Sequence, residues 1–451
     1  MTNIVLVTID SLRADHLGYY GYDRETSPVI DSLAADGHSF DAYANSSWTR
    51  ASFPSIITST YPLEFGGFEY LSDQRTTVGS VVSEGDYETA AFHSNLWLSR
   101  DYNYGRGFDQ FYDSKTDPSL LAKLRAFVKL NLDDDGIVYR TLQRLYDVTE
   151  EKAGVDVGQT YKDAETITDE AIEWIESTTG DFFVWVHYMD VHHPYVPHGK
   201  ISADLGIDPG VSEREAIQLR RKMLEEPEEI SDDEYQTLVD LYDTEIRYTD
   251  THIGRLIDVA NQHGGDEDTA VVLTSDHGDE FREHGQFSHT PTMYDEVLHV
   301  PIIVSGADVK ETGHQDEQVE LLDIAPTVAD LADVPTPDSY RGRSLLAAAG
   351  SGEDVDVISE TWQNDEYKLS VRTPEWKYIW DRDAGVRELY HLASDPDETQ
   401  NVINDQPDIA DNLQERLREH LEELRETNET LPNVSMDNET EARLKDLGYL
   451  E

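Results

Sequence analysis

The sequence predicts an α/β protein with a doubly wound, mostly parallel sheet and helices on both faces, followed by a small C-terminal α+β subdomain with a short antiparallel sheet. Apolar runs without alternation indicate strands buried on both faces, and they follow stretches with helical apolar spacing. After about residue 355 the segments become short and alternate apolar with polar residues, which is typical of antiparallel strands with one exposed face.

The large α/β part is expected to begin with a strand that starts almost at the first residue. Strands here are uninterrupted apolar runs, whereas helices place apolar residues three and four positions apart. In chain order the expected elements are a strand at 4–9, a helix at 167–175, a strand at 182–186, a helix at 238–257, strands at 270–273 and 300–304, and a helix at 324–331.

The end of the chain is expected to form the antiparallel sheet and one amphipathic helix. Alternating segments at 368–372 and 376–380 predict strands, and Ile409, Leu413 and Leu417 lie on one helical face. The predicted organisation is an α/β domain at 1–350, with insertions or a lid at about 113–165 and 200–230, and an α+β subdomain with a terminal helix and tail at 351–451.

The composition excludes several classes of protein. The 451 residues include 93 Asp and Glu against 35 Lys and Arg, a net charge of −58, and no cysteine. So acidic a chain is not expected to bind nucleic acid, which requires cationic side chains, and it cannot form disulfides or thiolate metal sites. Evenly spread acidic residues indicate a halophilic protein of a high-salt cytoplasm, since salt screens their repulsion. The N-terminal residues lead straight into a strand without a signal peptide, so we expect a cytoplasmic location.

Polar side chains follow the predicted strands, at the edge where open α/β sheets bind ligands. Each of them alone is more typical of a solvated loop residue, and it is their clustering at strand ends that favours a site. Oxygen and imidazole ligands without thiolates suit a divalent ion such as Mg, Ca, Mn or Zn. The candidates are Asp10 after the first strand, His187, Asp190, His192 and His193 after the second, Asp276 and His277 after the third, and His289 soon after.

A hydroxyl-rich segment at 47–55 precedes an apolar stretch and is a candidate source of a nucleophile. A hydroxyl at a helix N-terminus lies beside backbone N–H groups that favour an anion. The alternative is an ordinary helix cap by one of these hydroxyls.

Taken together, these segments resemble the sulfatase branch of the alkaline-phosphatase superfamily. The similarity is collinear over most of the chain, so it does not depend on one motif. It covers residues 3–18, 47–62, 186–190, 248–256, 275–285, 388–392, 395–399 and 447–449.

The resemblance implies roles for individual residues. Asp10, Asp276 and His277 match metal ligands of the family, and at least one divalent ion is therefore expected. His192 and His289 match residues beside the transferred group or the leaving oxygen, and we assign them as catalytic. Arg50, Asn95 and His187 are expected to contact the substrate, although Asn95 stands where sulfatases carry a Lys-Trp-His sequence.

Three departures from the family pattern affect the predicted chemistry. Thr49 stands where sulfatases carry the Cys or Ser that is oxidised to formylglycine, and threonine cannot undergo that conversion. Phe53 stands where the motif has Arg. Ser11 replaces the second of the paired aspartates, so Thr49 is expected to complete the metal shell as well as to act as the nucleophile.

The sequence therefore predicts a metal-dependent hydrolase that cleaves phosphate monoesters or diesters, or sulfate esters, through Thr49. The alternatives are a sulfuric ester hydrolase acting on sulfated glycans, a phospho-head-group transferase, and a degenerate member that only binds ligands. The expected partner is an anionic ester substrate, which is a small molecule, a glycan or a lipid head group.

Two further features remain open at this point. A basic amphipathic stretch at 117–132 predicts either contact with a membrane surface or an ordinary packed helix. A second ion held by Asp190, His192 and His289 is conceivable from the residue types alone.

Overall fold

The computed structural model describes residues 2–113, 161–264, 269–307, 309, 313–363 and 366–427. The strands are β1 (Asn3–Ile9), β2 (His38–Tyr43), β3 (Glu88–Phe92), β4 (Gln110–Tyr112), β5 (Phe182–Tyr188), β6 (Thr269–Ser275), β7 (Glu280–Phe281), β8 (Phe287–Ser288), β9 (His299–Gly306), β10 (Gly313–Glu320), β11 (Val357–Gln363), β12 (Glu366–Arg372), β13 (Trp376–Asp381) and β14 (Val386–His391). The α-helices are α1 (Pro28–Asp36), α2 (Thr49–Thr58), α3 (Val78–Val82), α4 (Ala164–Ser177), α5 (Gly199–Asp204), α6 (Glu213–Glu225), α7 (Asp232–Gly264), α8 (Asp295–Leu298), α9 (Ile324–Leu331), α10 (Leu345–Ala348) and α11 (Pro407–Thr427).

An eight-stranded sheet forms the centre of the α/β part, in the order β10-β2-β9-β6-β1-β5-β3-β4. β1 pairs in parallel with β5 and β6, and only β9, among the described strands of this sheet, runs antiparallel to its neighbours β2 and β6. The predicted fold class is confirmed, because the sheet is mostly parallel and β11 to β14 form a separate antiparallel sheet.

The uninterrupted apolar run of β1 is explained by helices on both faces of the sheet. Ile4 and Leu6 pack into a core layer that includes residues of α2 and α9. Val5 and Val7 point to the other face and pack with residues of α4 and α7. All four side chains are fully buried, so a strand with one polar face would not fit this position.

In the C-terminal part, α11 packs its apolar face on the four-stranded sheet. Leu413 and Leu417 contact a core that includes Leu369 and Tyr378. The predicted terminal helix is thus confirmed, whereas the domain boundary at 350 stays a prediction.

The predicted insertions and membrane-contact stretch are described only in part. Residues 114–160, and with them the 117–132 stretch, lie outside the described residues, whereas the 200–230 segment carries α6 and part of α5. In the part of the chain that the structure describes, no helix is both long and apolar enough to cross a bilayer.

Candidate active site

Two neighbouring central strands, β1 and β6, bring Asp10, Asp276 and His277 together. Ile9, the last residue of β1, pairs with Ser275 of β6, so the residues that follow these two strands leave the sheet side by side. One ligand atom from each of Asp10, Asp276 and His277 lies within 4.8 Å of the others, and all three residues are buried. The predicted metal ligands are therefore adjacent.

Gly278 permits the turn that carries Asp276 and His277. Its N–H donates to the Val297 carbonyl at 2.7 Å, and a Cβ atom at this position would lie 2.2 Å from the Glu296 carbonyl oxygen. A larger residue cannot approach that backbone so closely, which explains glycine in the Asp-His-Gly sequence.

The hydrogen bond of His277 fixes which of its ring nitrogens faces the carboxylates. Nδ1 lies 2.7 Å from the Gly278 carbonyl, which can only accept, so Nδ1 carries the proton. The unprotonated Nε2 lies 3.8 Å from Asp10 Oδ1 and 3.6 Å from Asp276 Oδ2. Burial lowers the pKa of His277 to about 3, so the ring is neutral at physiological pH. A neutral imidazole oriented by a backbone carbonyl is typical of a metal ligand.

The carboxylates of this group fit a divalent cation. Asp276 Oδ2 is buried, and no described residue forms a hydrogen bond with it. Burial and the negative charge of Asp10 raise the pKa of Asp276 well above its ordinary value. Burial also opposes ionisation of Asp10, yet the hydrogen bond from His187 and the neighbouring imidazoles His192 and His277 lower the pKa of Asp10. The two carboxylates and the imidazole lone pair are buried and face one another. Such a group is stable only with a positive charge between its members, because buried negative charge must be compensated.

Thr49 is the first residue of α2 and lies against this group. Its buried hydroxyl oxygen is 3.2 Å from Asp10 Oδ2 and 3.3 Å from His277 Nε2. The N-terminus of a helix also places unpaired N–H groups beside this position. The predicted nucleophile and the predicted metal ligands therefore meet at one point.

Ser11 holds the two carboxylates in place. Its φ angle is +59°, and its hydroxyl donates to Asp10 Oδ1 at 3.0 Å. Its N–H donates to Asp276 Oδ1 at 3.2 Å. Ser11 thus orients the carboxylates instead of supplying a third one.

His187 and Asn95 both lie against Asp10. Thr8 Oγ1 accepts a hydrogen bond from Trp185 Nε1–H at 2.9 Å and lies 3.0 Å from His187 Nδ1. The other ring nitrogen of His187, Nε2, lies 3.5 Å from Asp10 Oδ2. Asn95 Nδ2 lies 3.4 Å from the same oxygen.

Arg50 and Phe53 point to surroundings that the sequence did not predict. The Arg50 guanidinium lies 3.9 Å from the centre of the Trp97 ring and donates to the Glu69 carbonyl at 2.8 Å. These contacts of Arg50 do not involve Asp10, Asp276 or His277, so its contact with substrate stays a prediction. The Phe53 ring packs edge-on against His187 at 4.9 Å between centroids.

His192 and His289 lie together beside His277. The centroid of the His289 ring lies 4.8 Å from that of His277 and 5.0 Å from that of His192. His192 Nδ1 donates to the His193 carbonyl at 2.5 Å, and burial lowers the pKa of His192 to about 4. The two predicted catalytic histidines are therefore close to the predicted ligands.

Asp190 does not take part in this histidine group. Its Oδ1 accepts from the Ala164 N–H at 2.9 Å, at the start of α4. The imidazoles that lie together, among the residues described, are those of His192, His193 and His289. A second ion held by Asp190 together with His192 and His289 therefore does not fit the structure, because Asp190 lies outside the histidine group.

The sequence alone did not reveal the residues that surround His289. Asp279 and Ser288 contact His289 directly, His193 contacts Ser288, and Arg220 contacts His193. The His-His-Pro and Ser-His pairs were visible in the sequence, but nothing in their spacing indicates that they touch.

Two family models match the chain. The model described as Sulfatase matches residues 2–334, which is well over half of the chain. The model described as N-sulphoglucosamine sulphohydrolase, C-terminal, matches residues 282–427.

Several known proteins are similar over most of their length. Arylsulfatase K of Bos taurus is 26% identical, with 92% of this chain and 81% of that protein covered. An arylsulfatase of Clostridium perfringens is 24% identical, with 89% and 90% covered.

Solved structures share the fold at lower identity. The phosphonate monoester hydrolase of Agrobacterium radiobacter has a TM-score of 0.70 at 19% identity, covering 94% of this chain and 95% of that chain. A protein solved in complex with its substrate, D-glucosamine-2-N,6-O-disulfate, has a TM-score of 0.69 at 18% identity, covering 94% and 98%. The extent of the Sulfatase match leads to one conclusion: the chain belongs to the sulfatase family of the alkaline-phosphatase superfamily and is a hydrolase acting on ester bonds.

Proposed function

We propose that this hydrolase cleaves phosphate monoesters or diesters with Thr49 as the attacking group and a divalent ion as its cofactor. The observation that carries the proposal is the position of the Thr49 hydroxyl, 3.2 Å from Asp10 and 3.3 Å from His277 at the start of α2. Asp10, Asp276 and His277, with the Thr49 oxygen, would hold the ion. When bound, such an ion lowers the pKa of a hydroxyl and neutralises charge on an ester oxygen.

Each of the proposed catalytic residues has a separate role in cleavage of the ester. The Thr49 hydroxyl loses its proton to solvent as its oxygen forms a bond to phosphorus, the bond to the alcohol oxygen breaks, and a proton from His289 is transferred to that alcohol. His192, whose Nδ1–H is bonded to the His193 carbonyl, lies beside His289. Backbone N–H groups at the start of α2, with the side chain of Asn95, would stabilise charge on the remaining oxygens. Water then cleaves the ester on Thr49 and restores the hydroxyl.

Thr49 favours phosphate over sulfate because threonine cannot become formylglycine. Sulfate ester hydrolysis, including that of sulfated glycans, is the second candidate. The family model and the arylsulfatase relatives favour it, since their names describe sulfate esters as substrates. Direct attack by a hydroxyl is chemically open to both esters.

An activity panel at molar KCl tests the proposal. It compares aryl phosphate monoester, diester, phosphonate and sulfate as substrates for the parent, Thr49→Ala and Thr49→Ser, each loaded with divalent ion. We expect Thr49→Ala to lower kcat by at least about a thousandfold, since it removes the nucleophile, and Thr49→Ser to retain measurable turnover.

The panel also separates the two candidates. A higher kcat/KM for the phosphate esters supports the first candidate, and a higher value for the sulfate supports the second. Turnover by Thr49→Ala equal to that of the parent would contradict both, because both require the Thr49 hydroxyl.

A further inference from the structure

A series of hydrogen bonds leads from helix α6 to His289. Arg220, on α6, donates from Nε to His193 Nδ1 at 3.1 Å. His193 Nε2 lies 2.9 Å from Ser288 Oγ, and Ser288 Oγ lies 3.4 Å from His289 Nδ1. Three side chains therefore connect a helix outside the central sheet with one of the proposed catalytic residues.

The chemistry of arginine gives this series a direction. A guanidinium is not deprotonated in proteins, so Arg220 Nε–H can only donate and His193 Nδ1 must accept. The proton of His193 is then on Nε2, and that N–H donates to Ser288 Oγ. Burial and the nearby charges of His192 and Arg220 lower the pKa of His193 well below its ordinary value, so this ring stays neutral.

The Nδ1 atom of His289, which lies near Ser288, also lies near a second side chain, that of Asp279. Asp279 Oδ1 lies 3.5 Å from His289 Nδ1, and Asp279 Oδ2 accepts a hydrogen bond from the Tyr195 hydroxyl at 2.5 Å. Ser288 itself has a φ of +70°, a backbone conformation that non-glycine residues adopt only where the surroundings support it. The hydrogen bond from His193 supplies such support next to His289.

The position of Arg220 also explains why the three-imidazole group is a poor metal site. His193 Nδ1 accepts from the guanidinium and Nε2 is engaged by Ser288, so neither ring nitrogen has a lone pair available for an ion. A fixed positive charge adjoining the group repels a cation further.

We propose that Arg220 is a positioning residue for His289, which it orients through His193 and Ser288. This inference rests on the proposed function, in which His289 helps the alcohol to leave. The neighbouring Arg221 has a different place on α6, since its side chain is 75% exposed and pairs with Glu225 one turn away. The chain thus offers a matched control of the same charge on the same helix.

The test compares Arg220→Met, Arg220→Lys and Arg221→Met on aryl esters whose phenol leaving groups differ in pKa. A poorly oriented His289 matters most where the leaving oxygen needs a proton. We therefore expect Arg220→Met to lower kcat by about tenfold or more for phenols of high pKa, and much less for nitrophenols of low pKa. Arg220→Lys should recover part of the loss because it restores a donor, and Arg221→Met should match the parent.

A second readout does not require activity. Nitrogen-15 spectra of the imidazoles, assigned with a His289→Asn variant, report the environment of His289 directly. We expect the His289 signals to change in Arg220→Met but not in Arg221→Met. Unchanged His289 signals, or an equal loss of kcat for every leaving group, would overturn the positioning role.

The two failures are distinguishable. If the parent hydrolyses none of the esters, the proposed function fails, while the nitrogen-15 comparison still decides the positioning role. If the parent is active, Thr49→Ala is inactive, and Arg220→Met behaves as Arg221→Met does, only the positioning role is wrong.

Discussion

At the scale of single residues, the site depends on how three buried ligand atoms are oriented. His277 is held through Nδ1 by the Gly278 carbonyl, and Ser11 donates to both Asp10 and Asp276. These hydrogen bonds leave His277 Nε2 and carboxylate oxygens of Asp10 and Asp276 directed at one another. All three residues are buried, so water is largely excluded from the space between them. Loss of such outer contacts typically lowers metal affinity by about 10- to 100-fold.

Substitution of one ligand tests the metal site. Asp276→Asn keeps the size of the side chain but removes a negative charge, so we expect affinity for divalent ion to fall at least about tenfold. Isothermal titration of the metal-free protein measures this affinity, and Asp233→Asn, at an exposed position on α7, serves as the control. Removal of the ion with a chelator should also abolish hydrolysis, and addition of divalent ion should restore it. Full hydrolysis in the presence of the chelator would rule out the cofactor.

The sequence indicated some of the residues that the structure brings together here and left others out. Asp10, Asp276 and His277 were found because they end adjacent parallel strands, a position that the sequence pattern reveals. Asp279 and Ser288 were not found, because their role arises from a turn with positive φ that no apolar spacing encodes. The meeting of Arg220 with His193 depends on how α6 packs, and that information is not local.

At the scale of elements, charged side chains join the C-terminal sheet to helix α8, which directly precedes β9. Lys377 of β13 is fully buried, with Nζ 2.6 Å from Asp295 Oδ1 and 2.9 Å from Glu398 Oε1. Asp295 begins α8, and its N–H donates to Glu398 Oε2 at 2.6 Å. This cluster fixes the segment that follows the proposed catalytic His289.

Removal of Lys377 is expected to destabilise the protein strongly. Lys377→Met leaves the buried Glu398 carboxylate without its cation and Asp295 with Arg372 alone, which costs about 3–5 kcal/mol in the free energy of unfolding. Urea unfolding at constant KCl measures this change. Lys368→Met is the control, since Lys368 pairs with Glu366 nearer the surface and its loss should cost about 1 kcal/mol or less. Equal stability of the two variants would show that the buried cluster contributes little.

The elements that the sequence missed share a physical cause. β2 and β10 carry polar residues among their apolar ones, and β4 has only three residues, so none gives an apolar run. The antiparallel direction of β9 is likewise absent from the pattern, because a strand buried on both faces has the same composition in either direction. The long buried strands and the amphipathic helices were predictable since their burial dictates their composition.

At the scale of the whole molecule, family membership sets aside the alternative of a protein that only binds ligands, since the chain is an ester hydrolase. Its net charge of −58 has a separate consequence. Repulsion among so many carboxylates opposes the compact state unless salt screens it.

Salt is therefore expected to stabilise the folded chain. Because the screening length falls from about 10 Å at 0.1 M salt to about 3 Å at 1 M, the melting temperature should rise markedly over that range of KCl. Calorimetry or circular dichroism at several KCl concentrations measures it, with a protein of near-zero net charge as the control. A melting temperature that does not rise with KCl would contradict the halophilic interpretation.

The most direct test of the central claim is to trap the covalent ester on Thr49. The parent is mixed with its best aryl ester at molar KCl, quenched in acid within the first turnover and digested for mass spectrometry. The account predicts that the peptide containing Thr49 gains the mass of one phosphoryl or sulfuryl group, and that Thr49→Ala gains none. An active parent whose trapped group lies on another residue, or Thr49→Ala with undiminished turnover, would contradict it.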